Sequence, residues 1–165
     1  MEELSADAHQ RRETFARYGL AMYNAQCVEK SLAILVSSVF NTDFLPANQA
    51  RREELHDEAF SKTIGPLVMR LQKQVRLPTN LYSTLEEARE KRNWLAHEYF
   101  WIRAGELLTL HGRAKMIDEL TELSEWFSKL DVHLASIYES WAEKIGIPQE
   151  KIDEGVKKLI KRNRV

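Results

Sequence analysis

The chain has 165 residues, 44% of them apolar and 30% charged, with a formal net charge of -1. Those values describe one soluble, folded domain over residues 1–165, able to bury roughly two-thirds of its unfolded surface, and exclude a disordered or fibrous chain. Near-neutral charge also excludes a protein that coats nucleic acid by bulk electrostatics, while leaving room for a local cationic site.

The apolar period is helical almost throughout. Ser5 is a plausible N-cap, and Ala21, Ala25, Val28, Leu32, Leu35 and Val39 then recur on one face, which predicts a long helix to about Phe40. Asn41, Thr42, Asp43 and Pro46 end it. A polar helix from about Ala47 to Phe60 follows and stops before Gly65-Pro66. Pro66 suits the first turn of a short helix carrying Leu67, Val68 and Leu71. Leu77-Pro78-Thr79-Asn80 reads as a turn in which Thr79 or Asn80 caps the next helix. That helix carries Leu81, Leu85, Ala88, Leu95, Tyr99 and Ile102, and is predicted to run to about Ala104, with Gly105 as its stop signal. Residues 106–112 fit either a loop or a short extended piece. Leu120, Leu123, Phe127, Leu130, Leu134, Ile137 and Trp141 then step by threes and fours without exception, a seam that packs lengthwise on another helix. Gly146 ends it, and Pro148 opens a last amphipathic helix through Ile152, Val156 and Ile160. The expected architecture is an all-α bundle with two long helices and several shorter ones.

Cys27 is the only cysteine, so a disulfide framework is excluded and a small core residue is expected there. Met1-Glu2-Glu3 does not open a signal peptide, and the most apolar run, Leu32 to Phe40, is too short for a bilayer, so the cytoplasm is the expected compartment and no membrane partner is expected. Lys157 to Arg164 is a basic run, read first as a solvated helix end whose cations suit the dipole.

Chemistry concentrates at Arg92, Asn93 and His97. Arg92 occupies the one gap in the apolar stripe of its helix, where a charge is costly unless paired; Glu29, flanking the stripe of the first helix, is a candidate partner. An arginine five places before a histidine is expected by chance about 0.4 times in this composition, and it occurs twice, at Arg51…His56 and Arg92…His97. Requiring asparagine directly after the arginine leaves only the second.

At about 100° per residue, Asn93 and His97 are neighbours on one face, whereas Arg92 lies about 140° from His97. One straight helix therefore makes an incomplete site. Two facing copies, or a distortion near His97, would gather the groups round one ligand. Arginine forks two donors towards phosphate oxygens, and histidine exchanges protons near neutral pH. Together they are the minimum for cutting RNA without a metal, with His97 as general acid or base and Arg92 on the phosphate charge. Asn93 is placed to orient the imidazole or the substrate.

This segment resembles the signature of the HEPN superfamily, the small all-α "higher eukaryotes and prokaryotes nucleotide-binding" domains. Their hallmark is an arginine, commonly followed by a polar residue, then a histidine after four to six intervening residues, late in a central helix. The resemblance implies a HEPN-like bundle and a metal-independent endoribonuclease, often a toxin of toxin–antitoxin or phage-defence systems. It implies a homodimer in which two motifs form one cleft, with Arg92, Asn93 and His97 as the site and RNA as substrate. In one branch a minimal nucleotidyltransferase antitoxin attaches AMP to a tyrosine two residues after the histidine, and Tyr99 holds that place. The other readings are a HEPN-like module that binds a nucleotide or RNA without cutting it, and a helical interaction protein in which Arg92 and Glu29 form a buried pair. No cofactor and no metal are expected: His9, His56, His97, His111 and His133 lack ligand spacing, and there is no P-loop, dinucleotide turn or serine elbow.

Overall fold

Ser5 caps the first helix as its hydroxyl predicts, accepting the Ala8 amide at 3.3 Å in a computed structural model that describes residues 5–38, 49–74, 77–148, 150, 153, 154 and 157. For 49–53 and 74 only the backbone is described. The elements are α1 (Ala6–Ser37), α2 (Gln49–Phe60), α3 (Ile64–Gln74), α4 (Thr79–His97), α5 (Tyr99–Ile102), α6 (Ala104–Leu107) and α7 (Leu110–Lys144). Among the described residues there is no strand, so the fold is all-α with two long helices, α1 and α7. No helix among them is long and apolar enough to cross a membrane.

The predicted seam of α7 is the spine of the core. Leu120, Phe127, Leu130 and Leu134 are buried against Ala21, Ala25, Val28, Leu32 and Leu35 of α1. The alanines let the helix backbones approach, and each large side chain taken from water contributes about 1.5–3 kcal/mol before entropy is counted. Two side-chain links set the register. Asn24 Nδ2 donates to Ser124 Oγ at 2.8 Å, and Ser31 Oγ donates to Asp131 Oδ1 at 2.5 Å. Both links join residues 100 apart and lie one heptad apart, so α1 and α7 run parallel and stay in register. Cys27 sits at the margin of this core and is half-buried.

α4 also packs on α1, running the other way: Tyr18 reaches Leu95 and Glu29 reaches Arg92. α2 and α3 cover the other end of α1, and α3 supports α4. At the opposite end, Arg113 is fully buried and binds α6 and the start of α1 together. Its Nη1 donates to the Leu107 carbonyl at 2.7 Å, and its Nη2 meets the carboxylate of Asp7. Gly112 permits this corner, because a Cβ there would overlap the backbone of Glu106.

Several boundaries differ from the sequence reading. α4 is capped by Pro78 without a side-chain bond, so neither Thr79 nor Asn80 serves; both are the first residues of the helix. The helix does not run on to Ala104. It breaks at Glu98, and Gly105 lies inside α6 instead of terminating α4. Within 106–112, α6 ends at Leu107 and α7 begins at Leu110, with a turn at Leu108 and Thr109 between them; the Thr109 hydroxyl caps α7 by accepting the Gly112 amide at 3.0 Å. Gly146 ends α7 as expected, with φ at 73°, Gly146 N bonded to the Glu143 carbonyl and Ile147 N to the Ala142 carbonyl, the paired bonds of a Schellman cap. The predicted end of the first helix near Phe40, the start of the second near Ala47, and the last helix through Ile152, Val156 and Ile160 lie outside the described residues.

Candidate functional site

α4 presents its apolar stripe as predicted: Leu81, Leu85, Ala88 and Leu95 are buried, and Tyr99 of α5 continues the row. Ile102 does not; it is 47% exposed, because the break at Glu98 turns the chain out of register. Arg92 fills the gap in the stripe and meets Glu29 of α1, with Nε 2.9 Å from Oε1. The side chains are 19% and 7% exposed. Neither atom makes a hydrogen bond of good geometry, so this is an ion contact at short range and not an aligned N–H···O bond. The Nη1 group of Arg92 comes within 3.5 Å of Asn93 Oδ1, the outer limit of a hydrogen bond. Since Nε is buried, the exposed fifth of the side chain lies in its stem and Nη groups.

His97 is the last residue of α4 and is exposed, as is Asn93 one turn earlier. Among the described residues His97 makes no hydrogen bond or ion pair and belongs to no group able to hold a metal ion. The helix is distorted directly after His97. Glu98 leaves helical geometry at φ -123° and ψ -22°, and the hydroxyl of Tyr18 on α1 donates to the Leu95 carbonyl at 3.1 Å beside the break. Within one chain Arg92 turns inward to α1 while Asn93 and His97 face solvent. The distortion therefore does not bring Arg92 and His97 together inside a single copy.

Tyr99 is buried, 1% exposed, with its ring edge-on to Trp94 and Phe100 and 5.9 Å from the ring of Tyr18. Its hydroxyl points to the Met116 carbonyl at 3.4 Å. Burial, with the charge of Glu119 adding to it, pushes its phenol well above the usual tyrosine range. A group attached at this hydroxyl requires the aromatic cluster to open first. The other spacing match has a packing role: His56 Nδ1 lies 3.1 Å from Ser37 Oγ, beside the ring of Phe60.

The sequence reading missed a furrow between α4 and α7. Both helices rest on α1, and outside that contact Glu90, Lys91 and Trp94 face Glu119, Glu122, Leu123 and Trp126 across a cavity of about 530 Å³. The signal was present, since Glu119, Glu122, Leu123 and Trp126 follow helical spacing on one face. Comparison with protein-family models, with curated proteins and with solved structures gave no match.

Proposed function

We propose that this chain is a metal-independent endoribonuclease of HEPN type, a toxin of a toxin–antitoxin or phage-defence pair, working as a homodimer with one composite cleft. The observation that carries the reading is the division of labour on α4. Arg92 is held by a carboxylate inside the fold, while His97 ends the same helix exposed and unengaged. A guanidinium fixed at its Nε edge keeps its Nη groups for a phosphate, and a free imidazole at a helix end can meet a substrate. In the reaction, His97 takes the proton of a ribose 2′-hydroxyl, and the 2′-oxygen attacks the adjacent phosphorus. Arg92 of the second copy carries the negative charge on the five-coordinate phosphate. The bond to the 5′-oxygen breaks, and that oxygen takes a proton from water. Accessible single-stranded or loop RNA is the substrate class, because its 2′-hydroxyls and bases are free. A minimal nucleotidyltransferase acting on Tyr99 would have to bind the opened aromatic cluster.

The test is cleavage of single-stranded RNA in EDTA. Activity in the wild type that disappears in His97→Ala supports the reading, and equal activity in the variant overturns it. The Arg92–Glu29 contact itself favours a second reading, a non-catalytic nucleotide- or RNA-binding or helical interaction module in which the pair is structural. RNA binding that needs Arg92, without cleavage of varied RNAs, would select that reading.

A further inference from the structure

The furrow between α4 and α7 has the chemistry of a cation site, and it lies apart from Arg92 and His97. Its walls carry two indoles, Trp94 from α4 and Trp126 from α7, with Leu123 at the base. Both indole faces already hold cations of the chain itself: Lys91 Nζ lies 5.3 Å from the Trp126 ring centre, and the Arg103 guanidinium carbon 5.9 Å from that of Trp94. Five carboxylates bear on these groups, and three are engaged. Glu87 pairs with Lys91 at 3.3 Å, Glu119 takes Arg103 through both oxygens, at 2.5 and 3.0 Å, and Glu106 lies 3.9 Å from the same guanidinium. Glu90 and Glu122, one on each wall, are exposed and make no hydrogen bond or ion pair among the described residues. Lys91 in the same lining is engaged by Glu87, so the two carboxylates without an ion-pair partner, set on opposite sides of the furrow, are complementary to guanidinium or ammonium groups. The lining runs from Glu119 to Trp126, two turns of α7, so an extended segment lying along it buries more surface than a small ion would.

We propose that this furrow is the docking groove for a lysine- and arginine-rich segment of a partner protein, whose cationic groups pair with Glu90 and Glu122 while their carbon stems lie along the indole-lined floor. A hexa-arginine peptide is the probe, titrated into the full chain while tryptophan fluorescence is followed. Saturable quenching is expected, weakened by salt and absent with hexaglutamate. Glu90→Gln/Glu122→Gln, two exposed positions whose isosteres leave the fold intact, should weaken binding roughly tenfold, the scale of two exposed ion pairs. Unchanged affinity in that double variant overturns the proposal. So does tighter peptide binding when Lys157, Lys158, Lys161, Arg162 and Arg164 are all changed to Gln, because the chain's own basic end would then be the occupant. Neither result depends on RNA cleavage, so failure here and failure of the ribonuclease reading are separable.

Discussion

Arg92 Nε lies 2.9 Å from Glu29 Oε1, and this contact ties the motif helix to the central helix α1 at the only charged position in the buried row of α4. It gives an otherwise costly arginine its reason to be there, and it fixes where the guanidinium points.

Removing the carboxylate should therefore be expensive. Glu29→Ala leaves a mostly buried guanidinium unpaired, and a loss of about 2–4 kcal/mol in urea unfolding is expected, somewhat below the fully buried limit because Arg92 keeps a fifth of its side chain in water. The double variant Glu29→Leu/Arg92→Leu should recover most of that stability. A loss in Glu29→Ala of under about 0.5 kcal/mol, the size of a surface pair, would show that the contact is screened by solvent.

Stability should also respond to acid through Asp7. Its hydrogen bond from Arg11 holds its carboxyl below the usual range, and Arg113 acts in the same direction. A carboxylate depressed in the folded state contributes stability above its unfolded pKa, about 3.9, and loses it as pH falls through the folded value. The stability difference between wild type and Asp7→Asn should be largest near neutral pH and shrink below about pH 4. A difference constant over that range would contradict the assignment.

At the alkaline end the buried phenol of Tyr99 has the opposite sign. Its folded pKa is raised by burial, so its contribution is complete below the unfolded value of about 10 and declines above it. Ultraviolet titration should show one more tyrosine ionising on alkaline unfolding in the wild type than in Tyr99→Phe. Ionisation of every tyrosine near pH 10 in the folded protein would contradict the burial of this side chain.

Much of this was legible in the residues. The α7 seam, the Ser5 and Gly146 caps and the Glu29 partner all follow from apolar spacing and from the cost of a buried charge. The break at Glu98 was not, because Tyr99 continues the stripe across it and the period alone registers no interruption; Ile102 shows the consequence by lying exposed. Thr109 as the α7 cap was hidden among the leucines at 107, 108 and 110, which mimic an extended piece. The furrow was hidden for another reason. Glu119, Glu122 and Trp126 share a visible face, but only the packing of α4 and α7 on a common helix brings Glu90 and Trp94 opposite them.

The central claim is that Arg92 and His97 act together across two copies. The most direct test mixes two inactive variants, Arg92→Gln and His97→Ala, after each has been shown to fold by its unfolding transition. A mixed dimer restores one intact Arg92 and one intact His97 facing each other. The account expects RNA cleavage in EDTA from the mixture and none from either variant alone. A mixture as inert as its components, beside an active wild type, would contradict it.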